Sequence, residues 1–340
     1  MTGGDPLLRP PKRGERELTT TTSDPGSIRR PLGTGQRSGC ADCPPVEEPD
    51  LKVAVENLSR RYTELAGVVA RYMSEAGLER ETRSANAARL TDELIRIVGG
   101  VETPPGKYPE CALIGRRFPN GSVSWFCTGV LVHPRVVLTA GHCQDPQFAM
   151  NVVALNAVTM TDLQDAEIIG VRRVRVNPQY PQVTGNDISV LILRRGATAD
   201  PVPIATTEDI AAANQTTLVG FGNSDFLSTK GFGTQREVTV DITHVRRSED
   251  DDLDEAEQSI GFESDLEFVA GGGGFDSCNG DSGGPAYIDV EGVRKVAGLT
   301  SRATEGAVNP CGEGGIYTRA DTQRSFIHQV LQAAGINDEL

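Results

Sequence analysis

An all-β domain behind a leader that is first disordered and then helical is the architecture the sequence predicts, on three observations. Glycine is abundant, at 38 of 340 residues, and aromatics are scarce, at 5%, a composition suited to many turns between short strands. After residue 97 the chain breaks into short apolar runs, among them Val123–Phe126, Val130–Val132, Val136–Leu138, Ile168–Val176, Ser189–Leu193, Thr217–Val219, Glu237–Ile242 and Val296–Leu299. Gly, Pro, Asn and Asp separate these runs and no helices alternate with them, so a barrel or a sandwich is expected. Before residue 97 the texture is different: a Pro-, Gly-, Thr- and Arg-rich stretch is followed by apolar residues at helical spacing.

Residues 1–50 are rich in Pro, Gly, Thr and Arg and carry the tract Thr19-Thr20-Thr21-Thr22. They hold too little apolar surface to offset chain entropy and are expected to be disordered. From there Leu51, Val55, Leu58, Tyr62, Leu65, Val69 and Tyr72 step by four and three, which puts them on one stripe of a helix. Gly77 is a stop signal, and a second short helix is expected over Ala85–Ile95. The Leu51–Tyr72 stripe suits self-association or a partner through a coiled coil, and equally suits packing on the chain's own β-rich domain. Residues 51–96 are therefore assigned to the helical segment and residues 97–340 to the β-rich domain. That domain is expected to end in a helix, Ser325–Ala334, with Phe326, Ile327, Val330 and Leu331 on one face.

The formal charge is −14, and all of it lies in the back of the chain. Residues 1–96 hold 15 basic and 15 acidic side chains, whereas residues 97–340 hold 18 and 32. Such a field repels nucleic acid and favours basic partners. No stretch reaches the ~18 apolar residues of a membrane span, and Met1–Thr22 lacks the apolar core of a signal peptide. Seven cysteines point the other way, since paired cysteines belong to an oxidising or extracellular compartment.

The chemistry starts at Gly280-Asp281-Ser282-Gly283-Gly284-Pro285. Flanking glycines suggest a tight turn that exposes the Ser282 hydroxyl and lets a substrate backbone approach. A hydroxyl is a weak nucleophile until a base takes its proton. Of the four histidines, His142 ends an apolar run in Leu138-Thr139-Ala140-Gly141-His142-Cys143. An acid is then needed to orient the imidazole, and Asp187 stands at the mouth of the apolar run Ile188-Ser189-Val190-Leu191.

Together these segments resemble the trypsin/chymotrypsin family over residues 97 to about 335. Ile97-Val98-Gly99-Gly100 resembles its mature N-terminus, and Thr139–Cys143, Asp187-Ile188 and Gly280–Pro285 its histidine, aspartate and serine motifs. Gly315-Ile316-Tyr317-Thr318-Arg319 resembles its last barrel strand. The resemblance implies two six-stranded antiparallel barrels, chymotrypsin-like, with a C-terminal helix, and a serine endopeptidase that needs no cofactor or metal. It implies that Ser282 attacks, that His142 relays the proton and that Asp187 holds the imidazole. It further implies an oxyanion hole from the N–H groups of Gly280 and Ser282, and a primary pocket built from Asp276, Ser301 and Gly315. An acid at Asp276 implies protein or peptide substrates with Arg or Lys at the cut. Arg96-Ile97 implies a zymogen whose freed Ile97 amine pairs with Asp281. By the same resemblance Cys127 pairs with Cys143 and Cys278 with Cys311.

Departures from the pattern are informative. Val269 stands where a further family cysteine is expected, leaving Cys40, Cys43 and Cys111 to form a tether or to stay as free thiols. Cys40 and Cys43 lack the second ligand pair of a zinc site. Arg302-Ala303 replaces the usual Trp-Gly, and Gly141 replaces an alanine. The run Glu249–Glu255 is an acidic insertion, read as a solvated loop or as an exosite for basic substrates. Two other functions fit the same scaffold: a catalytically silent binding protein, and a protease effector recruited through its helical front. The α/β-hydrolase reading of the serine motif fails on order, because such enzymes need acid and histidine after the serine.

Overall fold

A computed structural model describes residues 100–144, 149–224, 230–247, 259–309 and 311–336. The expected disordered tail, the helical segment 51–96, the Arg96-Ile97 junction, Cys40, Cys43 and the insertion Glu249–Glu255 lie outside the described residues.

Strand β1 (Val101–Glu102) precedes six strands that close on themselves: β2 (Cys111–Arg117), β3 (Val123–His133), β4 (Val136–Thr139), β5 (Val152–Leu155), β6 (Glu167–Val176) and β7 (Ser189–Leu193). Their order is β2-β3-β4-β7-β6-β5, with β5 pairing back onto β2 and every pair antiparallel. After a short helix α1 (Thr207–Ala212) come β8 (Gln215–Gly220), β9 (Arg236–His244), β10 (Glu267–Ala270), β11 (Pro285–Val290), β12 (Val293–Ala303) and β13 (Gly315–Arg319). These make the second barrel, ordered β9-β10-β13-β12-β11-β8 and closed by β8 on β9, with β1 added at the β9 edge. Helix α2 (Arg324–Ala334) ends the described chain. The two six-stranded barrels and the C-terminal helix are those the resemblance implied. Among the described residues no helix is long and apolar enough to cross a membrane.

Alternation along the strands divides the core. All five residues of β7 are buried, and successive side chains leave opposite faces of a strand. Leu191 and Leu193 therefore join Ile114, Leu131, Val153 and Ile169 inside the first barrel. Val190 and Ile192 join the other large cluster, with Leu138, Tyr287, Leu299 and, from α2, Ile327, Val330 and Leu331. Leu218, Val240, Phe268, Ile288 and Tyr317 fill the second barrel. The missing family disulfide has an apolar replacement, since Val269 packs with Phe262 and Ile316.

Two expectations change. Val123–Phe126 and Val130–Val132 are one strand, because Gly129 between them is a close contact and not a break. A Cβ there would lie 2.8 Å from Leu138 O and 2.9 Å from Val137 Cγ1. Helix α1 was not anticipated, although Thr206 and Asp209 form a full capping box at its start.

Leu138 is fully buried in β4, three residues before the Gly141-His142 turn. Leu138→Ala is expected to cost about 2–5 kcal/mol through the lost transfer energy and the cavity left behind, read as a lowered denaturation midpoint.

Candidate functional site

Both barrels contribute to one cleft, and strand β3 is the platform on which its parts meet. Cys127 in β3 is bonded to Cys143, which pins the turn carrying His142. The next residue, Thr128, holds the serine turn: its N–H donates to Ser282 O at 3.0 Å and its hydroxyl to Gly280 O at 2.9 Å. Gly283 is what lets the turn come this close. With φ at +76°, a Cβ there would lie 2.0 Å from Thr139 Oγ1 and 2.4 Å from Ala140 N, so the serine turn rests directly on the strand end that leads to His142. On its other side Gly283 N donates to Thr300 O at 2.8 Å, fixing the turn to β12.

Asp187 follows a 3₁₀ turn, Thr184–Asn186, and is 2% exposed. His142 Nδ1 lies 2.7 Å from its Oδ2, His142 N donates to Oδ1 at 2.8 Å, and Ser301 Oγ donates to Oδ2 at 2.7 Å. Burial works to raise this carboxyl, but the hydrogen bonds from His142 and Ser301 and the neighbouring imidazole outweigh it. The group is held below the usual carboxylate range. Gly141 belongs to this packing, since a Cβ there would sit 3.0 Å from Asp187 Oδ1.

Ser282 is half-buried and lines a pocket with Asp276, Ser277, Thr300, Ser301, Arg302, Ala303 and Gly315. The adjoining pocket is lined by His142, Tyr180, Thr184, Asp187, Ser301 and Arg302. Among the described residues Ser282 Oγ makes no hydrogen bond to His142; such bonds often tighten only when substrate is bound. The N–H groups of Gly280 and Ser282 likewise donate to no acceptor among the described residues. Two free backbone donors beside a serine, an imidazole and an ionised buried carboxylate suit nucleophilic acyl transfer.

Asp276 lies in the first pocket and is 2% exposed. It accepts from Ser277 N at 2.7 Å, Tyr317 OH at 3.1 Å and Gly314 N at 3.1 Å. Gly315 leaves it room, because a Cβ there would stand 2.8 Å from Asp276 Oδ1. Asp281 accepts from Gly222 N at 2.7 Å and Cys278 N at 2.8 Å. Burial pushes each carboxyl up to about 6, against the pull of these donors. No cation pairs with either among the described residues. Cys278–Cys311 ties this segment to the loop before β13. Cys111 is fully buried and carries no disulfide, so of its two expected states it is found as a thiol.

Glu263, Glu267 and Thr128 carry no local motif that marks them in the sequence, and Arg302 stands out there only as a departure from the family pattern. A signal existed for Glu267, which is a charge inside the buried run Glu267-Phe268-Val269-Ala270 and so requires a buried partner.

The model of the Trypsin family matches residues 97–327. The chain is similar to coagulation factor IX of Oryctolagus cuniculus, 29% identical over 284 residues, covering 78% of this chain and 97% of that protein. It is similar to trypsin of Saccharopolyspora erythraea, 29% identical over 247 residues, with 71% of this chain and all of that protein covered. To tryptase of Mus musculus it is 30% identical over 252 residues, with 69% and 88% covered.

The lack of space at Gly283 gives a direct check. Gly283→Ala is expected to push the serine turn off Thr139 and break the Thr128–Ser282 backbone bond. Amide exchange at Thr128 should then accelerate at least about tenfold, the equivalent of ~1.4 kcal/mol of lost protection.

Proposed function

The chain belongs to the trypsin family and is a serine-type endopeptidase acting on protein substrates, and on that premise we propose that it cuts after Arg or Lys and is made as a precursor activated between Arg96 and Ile97. Ser282 attacks the scissile carbonyl while His142 takes its proton. The tetrahedral oxyanion is met by the N–H groups of Gly280 and Ser282, and His142 then protonates the leaving amine. Asp187 holds the imidazole tautomer and balances the imidazolium. Water reverses the sequence on the acyl-enzyme to release the second product.

The observation that carries the specificity is Asp276: a buried carboxylate in the pocket next to Ser282, with donors on both oxygens and no cation among the described residues. A guanidinium or ammonium entering that pocket supplies the missing charge. Gly315 supports this reading by leaving the carboxylate uncovered.

Activation follows from the second buried carboxylate. Asp281 lies against Gly220 and Gly222, where a Cβ would come within 2.1 Å and 2.5 Å of its oxygens. It too lacks a cation among the described residues, and the Ile97 amine freed by cleavage after Arg96 would provide one. Pairing there holds the turn that carries Gly280 and Ser282. Arg96 itself suits the Asp276 pocket, so the enzyme is its own candidate activator.

The full chain and Ser282→Ala, each treated with a trace of trypsin that is then removed, should both acquire an N-terminus at Ile97. Only wild type should cleave Arg- and Lys-ending peptides; processing without activity on any peptide would refute the reading. Asp276→Ser should lower kcat/KM on Arg and Lys substrates about 10²–10³-fold, the scale of a lost buried charge pair, and leave a Phe substrate nearly unchanged. Because the Asp276 carboxyl titrates at about 6, the pocket loses its charge as pH falls through that value. The ratio of kcat/KM for Arg over Phe substrates should fall with it.

A further inference from the structure

Arg302 stands beside the cleft, next in the chain to Ser301, yet its guanidinium is turned to a buried acid. Its Nη1 donates to Glu267 Oε1 at 2.5 Å and its Nη2 to Glu267 Oε2 at 2.9 Å, with a further bond from Nη2 to Gly261 O at 2.8 Å. Glu267 is wholly buried, and its Oε2 also accepts from Glu263 N at 2.8 Å. Glu263 then reaches the other wall of the cleft. Its Oε1 accepts from Thr184 Oγ1 at 2.9 Å and from Gly185 N at 3.3 Å, in the turn that delivers Asp187 two residues later. Packing reinforces this contact, because a Cβ on Gly185 would lie 2.8 Å from Leu266 Cβ and 3.3 Å from Glu263 Cβ.

The chain of contacts closes on itself. Asp187 is held on one side by Ser301, whose neighbour Arg302 leads through Glu267 to Glu263. Glu263 returns through the Thr184-Gly185 turn to Asp187. We propose that Arg302, Glu267 and Glu263 are positioning residues, forming a closed polar circuit that fixes the Asp187 turn against Ser301 and so fixes the orientation of His142. The proposal rests on the reading of His142, Asp187 and Ser282 as the reacting set.

Stability alone does not account for the circuit. A buried ion pair gains little over packed apolar residues of the same size. What it adds is direction, since bidentate and backbone hydrogen bonds hold angles that apolar contacts leave loose. The circuit spends that directionality on the one carboxylate whose placement decides the imidazole tautomer, where small displacements carry large rate costs.

The test compares the full chain, cleaved after Arg96, with E263A, E263Q and the paired exchange R302M/E267M, which strands no buried charge. E263A should lower kcat on an Arg-ending peptide about tenfold while KM stays within about twofold, because the Asp276 pocket is untouched. E263Q keeps the accepting oxygen and should recover wild-type kcat. R302M/E267M should match E263A in kcat while keeping the wild-type Tm. In 15N-labelled protein the low-field proton on His142 Nδ1 should broaden or vanish in E263A and return in E263Q. An unchanged resonance and kcat in E263A, or an equal loss in E263A and E263Q, would overturn the proposal. The resonance needs no turnover, so it decides the circuit even if the wild type proves inactive; inactivity would count against the reaction alone.

Discussion

A carboxylate that is buried and still ionised is the constraint on which the rest of this molecule depends. Water normally carries the cost of such a charge; at Asp187 the cost is met by two donors from His142 and one from Ser301. Those donors come from a turn after β4 in the first barrel and from β12 in the second. The charge can therefore exist only when both barrels are folded and in contact. Assembly of the site and assembly of the fold are in this sense one event.

Two other buried aspartates are solved differently. Asp276 and Asp281 are met by backbone N–H groups and hydroxyls, with no cation among the described residues. Each is left short of a full counter-charge, which is why burial raises both. The three aspartates thus show two burial strategies. Asp187 has its partners in place; the other two lack a cation among the described residues, and in the function proposed above a substrate side chain would supply one and the chain's own new terminus the other.

What could be read in the sequence, and what could not, divides along the range of the interactions. Ser282, His142 and Asp187 announced themselves because each sits in a short local motif dictated by a tight turn or a strand end. The strand Ser189–Leu193 was legible to the residue, since five apolar or small residues between turns leave little choice. Long-range features were not legible. Gly129 looked like a break because nothing in its neighbours says that Leu138 O will arrive within 2.8 Å of where a Cβ would be. Arg302 looked like an intruder because its partner, Glu267, lies 35 residues away in the chain. The two-barrel arrangement itself came from family resemblance, as apolar patterning alone left barrel and sandwich equally open.

The Arg302–Glu267 pair has a consequence for how this chain can change over time. Glu267 is tolerable only in the presence of Arg302, since replacing Arg302 leaves a wholly buried carboxylate stranded away from water, whereas the Arg302 side chain is 29% exposed and faces the cleft. A lineage moving between an apolar pair and this ionic pair must therefore gain Arg302 before Glu267, and lose Glu267 before Arg302, or change both at once. The two sites are in effect a single inherited character with two letters. Single-residue substitution scans will find Arg302 immovable while Glu267 stands, though the pair as a whole is exchangeable.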